Sequence, residues 1–393
     1  MSLFSNTETA FIVKSDGQLL KAWWLFKMVS FPRLVKFGKV LLAIARFLHV
    51  PIKWMVKPTI FAHFCGGETL ESCAPVVERL AAHNVRSILD YSVEGKESEE
   101  DITAALDETL RAVRHAAADV NIPFAVFKPT AFAPFEILEK AAAGELRTET
   151  EKAEAAKFEK RLETLFRAAW EGNEPIMIDA EETWIQSHID GVVHRMMETY
   201  NTKKAIVYNT LQMYRHDRLS FLEKALAAAE KGNYFLGIKL VRGAYMEKER
   251  ARAEKLGYPS PIHPDKPATD KAYDDALTFC VEHIDRISVF NGTHNEASCL
   301  HLMGLLKKKG LPSNDPRVYS SQLCGMSDHI SFNMARAGYN VAKYIPYGPV
   351  KHVLPYLIRR AEENTAVAGQ TGRELRLLSE ERKRRKAARA AAR

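Results

Sequence analysis

The chain has 393 residues, 46% of them hydrophobic and 27% charged, a size that suits one large domain with extensions or two medium ones, with enough apolar residues for a sizeable core. Its net charge of +7 is local: residues 382–393 carry seven basic and no acidic side chains, and residues 1–60 carry nine Lys/Arg against Glu8 and Asp16. Each end contributes +7, so the stretch between them carries −7, which excludes a nucleic-acid-binding body because an acidic surface repels phosphate.

Five cysteines (Cys65, Cys73, Cys280, Cys299, Cys324) are widely spaced, with neither metal-ligand pairing nor the density of a disulfide scaffold, so a reducing compartment fits best. The N-terminus lacks the basic region and apolar core that secretion requires, and Glu8 argues against a mitochondrial presequence. No apolar run reaches the ~20 residues that span a bilayer. The most apolar piece, 40–56, is broken by Arg46, His49, Pro51 and Lys53, so membrane contact is peripheral at most.

In chain order, residues 1–85 read as a helical, basic segment holding Trp23, Trp24 and Trp54. Two readings stay open for it: an amphipathic helix packed on the main domain with its lysines in water, or a helix lying on an anionic membrane surface. From residue 86, short β-branched runs alternate with amphipathic stretches. The runs are RSILDYS (86–92), PFAVFKPT (123–130), PIMIDAE (175–181), AIVYNTLQ (205–212), FLGIKLVRG (235–243), RISVFNGTHN (286–295), RVYSSQLCG (317–325) and VAKYIPYG (341–348), eight in all. Helical spacing fills 101–118, 151–172, 219–231 and 297–309. Eight strand-helix repeats over roughly 280 residues predict an α/β fold of the (β/α)8 TIM-barrel type across 86–365. An open doubly wound sheet is the competitor, but no GxGxxG and no P-loop follows any strand. Residues 366–393 form a charged, basic C-terminal segment, read over 371–393 as a helix or a mostly mobile frayed tail.

In such a barrel the reacting groups stand at the carboxyl ends of the strands. Those positions hold Asp90 with Glu94, Lys128, Asp179 with Glu181, Gln212, Lys239 with Arg242, His294 with Asn295, Gln322, and Tyr344. Burying that many polar groups is costly unless they pair or bind something. After the last strand come Arg359 and Arg360, whose side chains diverge by about 100° on a helix, so both face the mouth only if the helix lies across it. With Lys128 they make a three-cation pocket suited to the carboxylate of an amino or keto acid. Thirteen histidines form no HxH or HExxH pair, so no metal site is expected. No GxSxG elbow occurs either. A Schiff base on Lys128 or Lys239, giving a barrel lyase without flavin, is the alternative chemistry.

Taken together, VFKPTAF, IDAEETW, VYNTLQMY, GIKLVRGAYMEKER, THNEAS, SQLCGMSDHISF and YIPYGPVKHVLPYLIRRAEEN, in this order and each at or after a strand end, resemble the proline dehydrogenase family, in its monofunctional, mitochondrial-like branch. The resemblance implies a barrel holding FAD without a Rossmann motif, and hydride transfer from C5 of L-proline to the flavin N5, giving Δ1-pyrroline-5-carboxylate. It implies that Lys128, Arg359 and Arg360 hold the substrate carboxylate, that Asp179 supports them, and that Glu94 is a gate carboxylate pairing with the first arginine. Tyr344 and Leu323 match residues that pack on the pyrrolidine ring. Relatives that oxidise hydroxyproline, the alternative substrate, carry a smaller polar residue at the Tyr344 position. Gln212, Lys239, Val241, Gly243, Ala244, Tyr245, Thr293, His294 and Asn295 match flavin surroundings, with Lys266 and Thr269 near its phosphates or adenosine. Lys239 stands where bifunctional members carry Arg. The resemblance further implies a quinone acceptor, with peripheral membrane contact through residues 1–60. The expected location is cytoplasmic, on the inner face of the inner membrane, or the matrix side of the mitochondrial inner membrane. The oligomeric state and the choice of quinone stay open.

Overall fold

A computed structural model describes residues 3–31, 33, 53–92, 98–366 and 368–392. Eight strands follow the predicted runs: β1 (Val85–Tyr91), β2 (Ala125–Phe127), β3 (Ile176–Ile178), β4 (Val207–Gln212), β5 (Leu236–Val241), β6 (Ile287–Gly292), β7 (Val318–Leu323) and β8 (Val341–Tyr347). All ladders are parallel, in the order β1-β8-β7-β6-β5-β4-β3-β2. At the remaining seam the Ser87 N–H donates to the Asn121 carbonyl at 2.8 Å, so the sheet nearly closes into a (β/α)8 barrel.

The two-residue period of a strand sorts side chains into two cores. Val85, Leu89, Phe127, Ile176, Ile178, Val207, Leu211, Ile238 and Leu240 face the surrounding helices. Residues of the other parity, including Ile88, Val126, Met177, Tyr208, Phe290 and Ala342, fill the barrel. Phe124, just before β2, lies at the centre of this plug, edge-on to Tyr208 (5.4 Å), Phe290 (5.1 Å) and Tyr319 (5.0 Å). Tyr208 fits because its neighbour is Gly237: a Cβ there would lie 2.6 Å from the tyrosine ring and 2.5 Å from the Val207 carbonyl. Extending the inward parity to the carboxyl ends places Asp90, Lys128, Asp179, Gln212, Lys239, Leu323 and Tyr344 at one mouth.

Around the barrel, helices start where the sequence supplies caps. Ser98 caps Glu99–Ala118, and Thr148 with Glu151 forms a capping box on Glu149–Glu171. The helix Val350–Ala366, which carries Arg359 and Arg360, follows β8.

The chain ends pack together. Leu19, Ala22 and Phe26 of the helix Asp16–Val29 meet Leu377 and Leu378 of the helix Ala368–Ala391. Trp23 Nε1 donates to Ser379 Oγ at 2.9 Å. Glu381, fully buried, accepts from Thr7 Oγ1 (2.9 Å), Arg384 Nε (2.8 Å) and Arg385 Nε (2.7 Å), so its charge is balanced by its own helix and its hydrogen bonds come from both ends of the chain. Of the two forms considered for the basic C-terminal segment, the structure has the helix. Among the described residues no helix is long and apolar enough to cross a membrane.

Replacing Phe124 with Ala should cost about 3–5 kcal/mol, because three rings lose the same edge-on neighbour. Urea unfolding of the two proteins measures it, and a loss under 1 kcal/mol would remove Phe124 from the centre of the plug.

Candidate active site

One carboxylate organises the mouth. Asp179, one residue past β3, accepts from Lys128 Nζ (2.9 Å), Lys239 Nζ (2.6 Å) and the Tyr344 hydroxyl (2.7 Å). Each donor arrives from a different strand end: Lys128 follows β2, Lys239 lies in β5 and Tyr344 in β8. Lys128 also reaches Asp90 Oδ2 of β1 at 3.1 Å, and the Ser92 hydroxyl donates to the same oxygen. The Tyr344 ring lies under both ammonium groups, 4.8 Å from Lys239 and 5.8 Å from Lys128. Burial would raise the Asp179 carboxyl, but Lys128 and Lys239 outweigh it and hold the group well below the usual carboxylate range. Burial, with the Asp179 charge beside it, pushes the Tyr344 phenol far up, so it stays a neutral donor.

A second layer surrounds this centre. Glu181 accepts from the Thr130 N–H (3.0 Å) and hydroxyl (2.9 Å). Burial, reinforced by the neighbouring Glu182, lifts its carboxyl to about 7 against those bonds. Gln212 donates to the Glu181 carbonyl (2.6 Å) and accepts from the Ala244 N–H (3.3 Å). An amide so placed keeps one N–H and one lone pair for a ligand. Val241 ends β5, and the exposed pair Gly243 and Ala244 follows. Gly243 has φ +132°, and a Cβ would sit 2.6 Å from the Tyr214 ring, so backbone alone lines this spot. Tyr245 closes the loop, its phenol raised by burial.

The other expected flavin positions divide into three groups. Arg242 links β5 to β6 by donating to Asp270 Oδ1 (2.7 Å), Thr293 Oγ1 (2.7 Å) and Ser298 Oγ (3.0 Å), with its plane 4.4 Å from the Tyr273 ring. Lys266 joins this cluster by pairing with Asp270. Asn295 caps the helix Glu296–Lys309, and the Thr269 hydroxyl turns back to the Asp265 carbonyl at 3.2 Å, so both serve their own helices. His294 faces the β7 turn, with Nδ1 2.9 Å from Ser327 Oγ. Burial, Lys343 and Arg360 lower its imidazole to about 3.

Arg360 is buried, with its guanidinium 5.1 Å from the Tyr356 ring, and lies near enough to His294 for its charge to bear on that ring. Arg359 bears in the same way on Tyr245. Both arginines of the Val350–Ala366 helix thus stand within electrostatic reach of groups of the mouth. Leu323, at the end of β7, pairs in register with Tyr344. Glu94 lies outside the described residues.

Asp90 stood among the strand ends but outside the expected site set, although β1 parity, with Ile88 inward, would have placed it there. Lys343, Ser327 and Glu374 gave no such signal. Lys343 points outward from β8, is buried, and pairs with Asp328 Oδ1 at 2.8 Å. Among the described residues no cluster of His, Cys, Asp and Glu could hold a metal ion.

Strand-end lysines, carboxylates and amides on a (β/α)8 scaffold define a barrel enzyme with a polar, cation-rich mouth. A family model described as "Proline dehydrogenase" matches residues 73–373. The "Carbapenem antibiotics biosynthesis protein CarD" of Pectobacterium carotovorum subsp. carotovorum is 33% identical over 322 residues, covering 82% of this chain and 83% of that protein. The "Hydroxyproline dehydrogenase" of Xenopus laevis is 31% identical over 412 residues, covering 95% and 88%. Human "Proline dehydrogenase 1, mitochondrial" is 39% identical over 234 residues, covering 59% of this chain and 39% of the relative. In fold the chain is similar to proline utilization A from Bdellovibrio bacteriovorus, with a TM-score of 0.72 at 20% identity over 93% of this chain, and it spans 39% of that protein's length. The chain belongs to the proline dehydrogenase family and is an enzyme of that family.

Glu181 supplies a pH test. Its carboxyl stands near 7 folded against 4.5 unfolded, so its contribution to stability is complete below pH 4.5 and is lost as pH rises through 7. That loss is of the order of 3 kcal/mol. Urea midpoints at pH 5 and pH 8 should differ less in Glu181→Gln than in the wild type, and equal differences would refute the shift.

Proposed function

We propose that the protein oxidises L-proline to Δ1-pyrroline-5-carboxylate with FAD as cofactor. The observation that carries this reading is the Asp179-centred network at the strand ends of the barrel, with Arg359 and Arg360 within electrostatic reach of its surroundings. Lys128, Lys239, Arg359 and Arg360 stand against Asp90 and Asp179, an excess of two positive charges that suits an anionic small substrate. Arg359, Arg360 and Lys128 grip the substrate carboxylate, while Asp179 holds Lys128 in place and fixes the tilt of Tyr344 through its hydroxyl. Tyr344 and Leu323 then form an apolar wall for the ring, and Glu94 acts as a gate. Orientation by this clamp supplies much of the rate.

The residues present fit a flavin. Gln212 offers one donor and one acceptor to a heterocycle edge of alternating carbonyl and N–H groups, Lys239 adds an ammonium, and Gly243 gives a close backbone approach without a side chain. Val241, Tyr245, Thr293, His294 and Asn295 complete the surroundings, with Lys266 and Thr269 toward the phosphates or adenosine. Bound FAD supplies the two-electron acceptor for the hydride that leaves C5 of the substrate. His294, neutral because burial keeps its imidazole low, adds no charge there.

Hydroxyproline is the second reading, supported by the Xenopus relative, and Tyr344 favours proline over it. Lys128 and Lys239 are ion-paired with Asp179, unlike the apolar cage that activates a Schiff-base amine, so the lyase alternative loses support. A quinone is the proposed final acceptor. Contact with the membrane holding it falls to residues 1–60, where Trp24, Met28, Phe31 and Trp54 are exposed beside Lys27, Lys53 and Lys57. The proposed location is the cytoplasmic face of the inner membrane, or the matrix side of the mitochondrial inner membrane, which the names of the mitochondrial relatives favour.

Purified protein should be yellow and bleach on addition of L-proline. Arg360→Met should keep the flavin but raise KM about ten- to hundredfold, the worth of a charge-assisted hydrogen bond of about 1.5–3 kcal/mol. Colourless protein, or an unchanged KM, would sink the cofactor or the clamp respectively.

Liposome flotation addresses the N-terminal segment. The protein should float with anionic vesicles more than with neutral ones, and lose that preference when residues 1–60 are removed; equal flotation would rule out an electrostatic contact.

A further inference from the structure

The turn after β7 is held from a distance. Ser327 has φ +49° and ψ +41°, a left-handed conformation that a non-glycine residue keeps only when its surroundings enforce it. Its N–H donates to Glu374 Oε1 of the helix Ala368–Ala391, and its carbonyl accepts from the N–H groups of Ile330 (3.0 Å) and Ser331 (3.2 Å). Its hydroxyl lies 2.9 Å from His294 Nδ1. On the far side of that ring, the Leu323 N–H lies 3.5 Å from Nε2. A backbone N–H only donates, so Nε2 is the acceptor and the ring proton sits on Nδ1, facing Ser327 Oγ.

Glu374 is itself fixed. Leu377 and Leu378, one turn on, pack against Leu19 and Phe26. The adjacent Arg373 pairs with Glu296 at 2.8 Å, and Glu296 also holds His329 Nε2 at 3.0 Å. Two consecutive side chains of the C-terminal helix therefore reach into the wall of the barrel mouth.

We infer that Glu374 is a positioning residue for this mouth: by accepting the Ser327 N–H it keeps the β7 turn in the backbone form from which Ser327 sets the ring and tautomer of His294 beside Leu323. The residue acts through Ser327 and touches neither substrate nor cofactor.

The test uses the full chain as wild type, Glu374→Ala, Glu374→Gln, Ser327→Ala and the Glu374→Ala/Ser327→Ala double variant. Imidazole ¹⁵N NMR, with His294→Gln assigning the signal, should show an Nδ1-protonated neutral ring in the wild type and in Glu374→Gln, whose side-chain oxygen still accepts. That signal should shift toward mixed tautomers in Glu374→Ala. The kinetic arm rests on the proposed proline oxidation. KM for L-proline should rise about fivefold or more in Glu374→Ala and in Ser327→Ala with kcat within about twofold, and the double variant should be no worse than either. An unchanged His294 signal in Glu374→Ala, or multiplying KM effects in the double variant, would overturn the assignment. If Glu374→Ala fails to fold, Glu374→Met fills the same volume without an acceptor and takes its place. A wild type that does not oxidise L-proline would defeat the functional reading alone, because the NMR arm still decides Glu374.

Discussion

Asp179 is the constraint on which the mouth depends. Two ammonium groups converging near the end of a buried barrel would repel each other in a medium that screens poorly, and a single carboxylate answers both. Because those same ammonium groups keep it ionised, it also fixes the direction of the Tyr344 hydroxyl. Tyr344 is then held at both ends: its oxygen by Asp179, its ring face by the lysine charges above it. A side chain restrained in this way presents a wall of definite tilt, which a hydroxyl on water or a ring packed only by Leu323 would not.

Much of this was legible in the sequence because strands of a closed barrel are buried on both faces and so read as continuous β-branched runs. The eight runs became eight strands, and of the polar residues at their ends Asp90, Lys128, Asp179, Lys239 and Tyr344 came together. Boundaries were less legible. The runs at 123–130 and 175–181 extend beyond the three-residue strands Ala125–Phe127 and Ile176–Ile178. There the chain leaves the ladder to deliver function: Lys128 opens the 3-10 turn Pro129–Ala131, and Asp179 and Glu181 follow β3 directly. Apolar periodicity cannot mark the point at which a strand stops pairing and begins to present side chains.

What the sequence concealed lies at the two ends, where partners are separated by most of the chain. A run of seven basic residues at 382–393 resembles a solvated tail, yet Glu381 beside it is fully buried and joins Thr7 to Arg384 and Arg385. Lys14, in the opposite extension, pairs with Asp328 at 2.8 Å, just after the β7 turn, and Asp328 also holds Lys343. Arg384 and Arg385 pair with Glu381 at i+3 and i+4 on its own helix, whereas the Thr7 and Lys14 contacts depend on three-dimensional closure and leave no local pattern. The positive charge of the termini is thus partly consumed in fastening them to each other and to the barrel.

The loop after β3 shows how one short segment serves two electrostatic roles. Asp179, half-buried, and Glu181, buried, are two residues apart, yet their carboxyls move in opposite directions: the lysines draw Asp179 down, whereas Glu181, held by neutral Thr130 donors and crowded by Glu182, is lifted by burial to about 7. Only the first keeps a fixed charge through neutral pH. The second carries a charge that grows as the solution becomes alkaline, adding a negative group behind a mouth whose excess is positive. Attraction for an anion should therefore weaken from that side at high pH, even as a substrate amine becomes free of its proton. The opposition between these two trends follows from the neighbours each carboxylate was given.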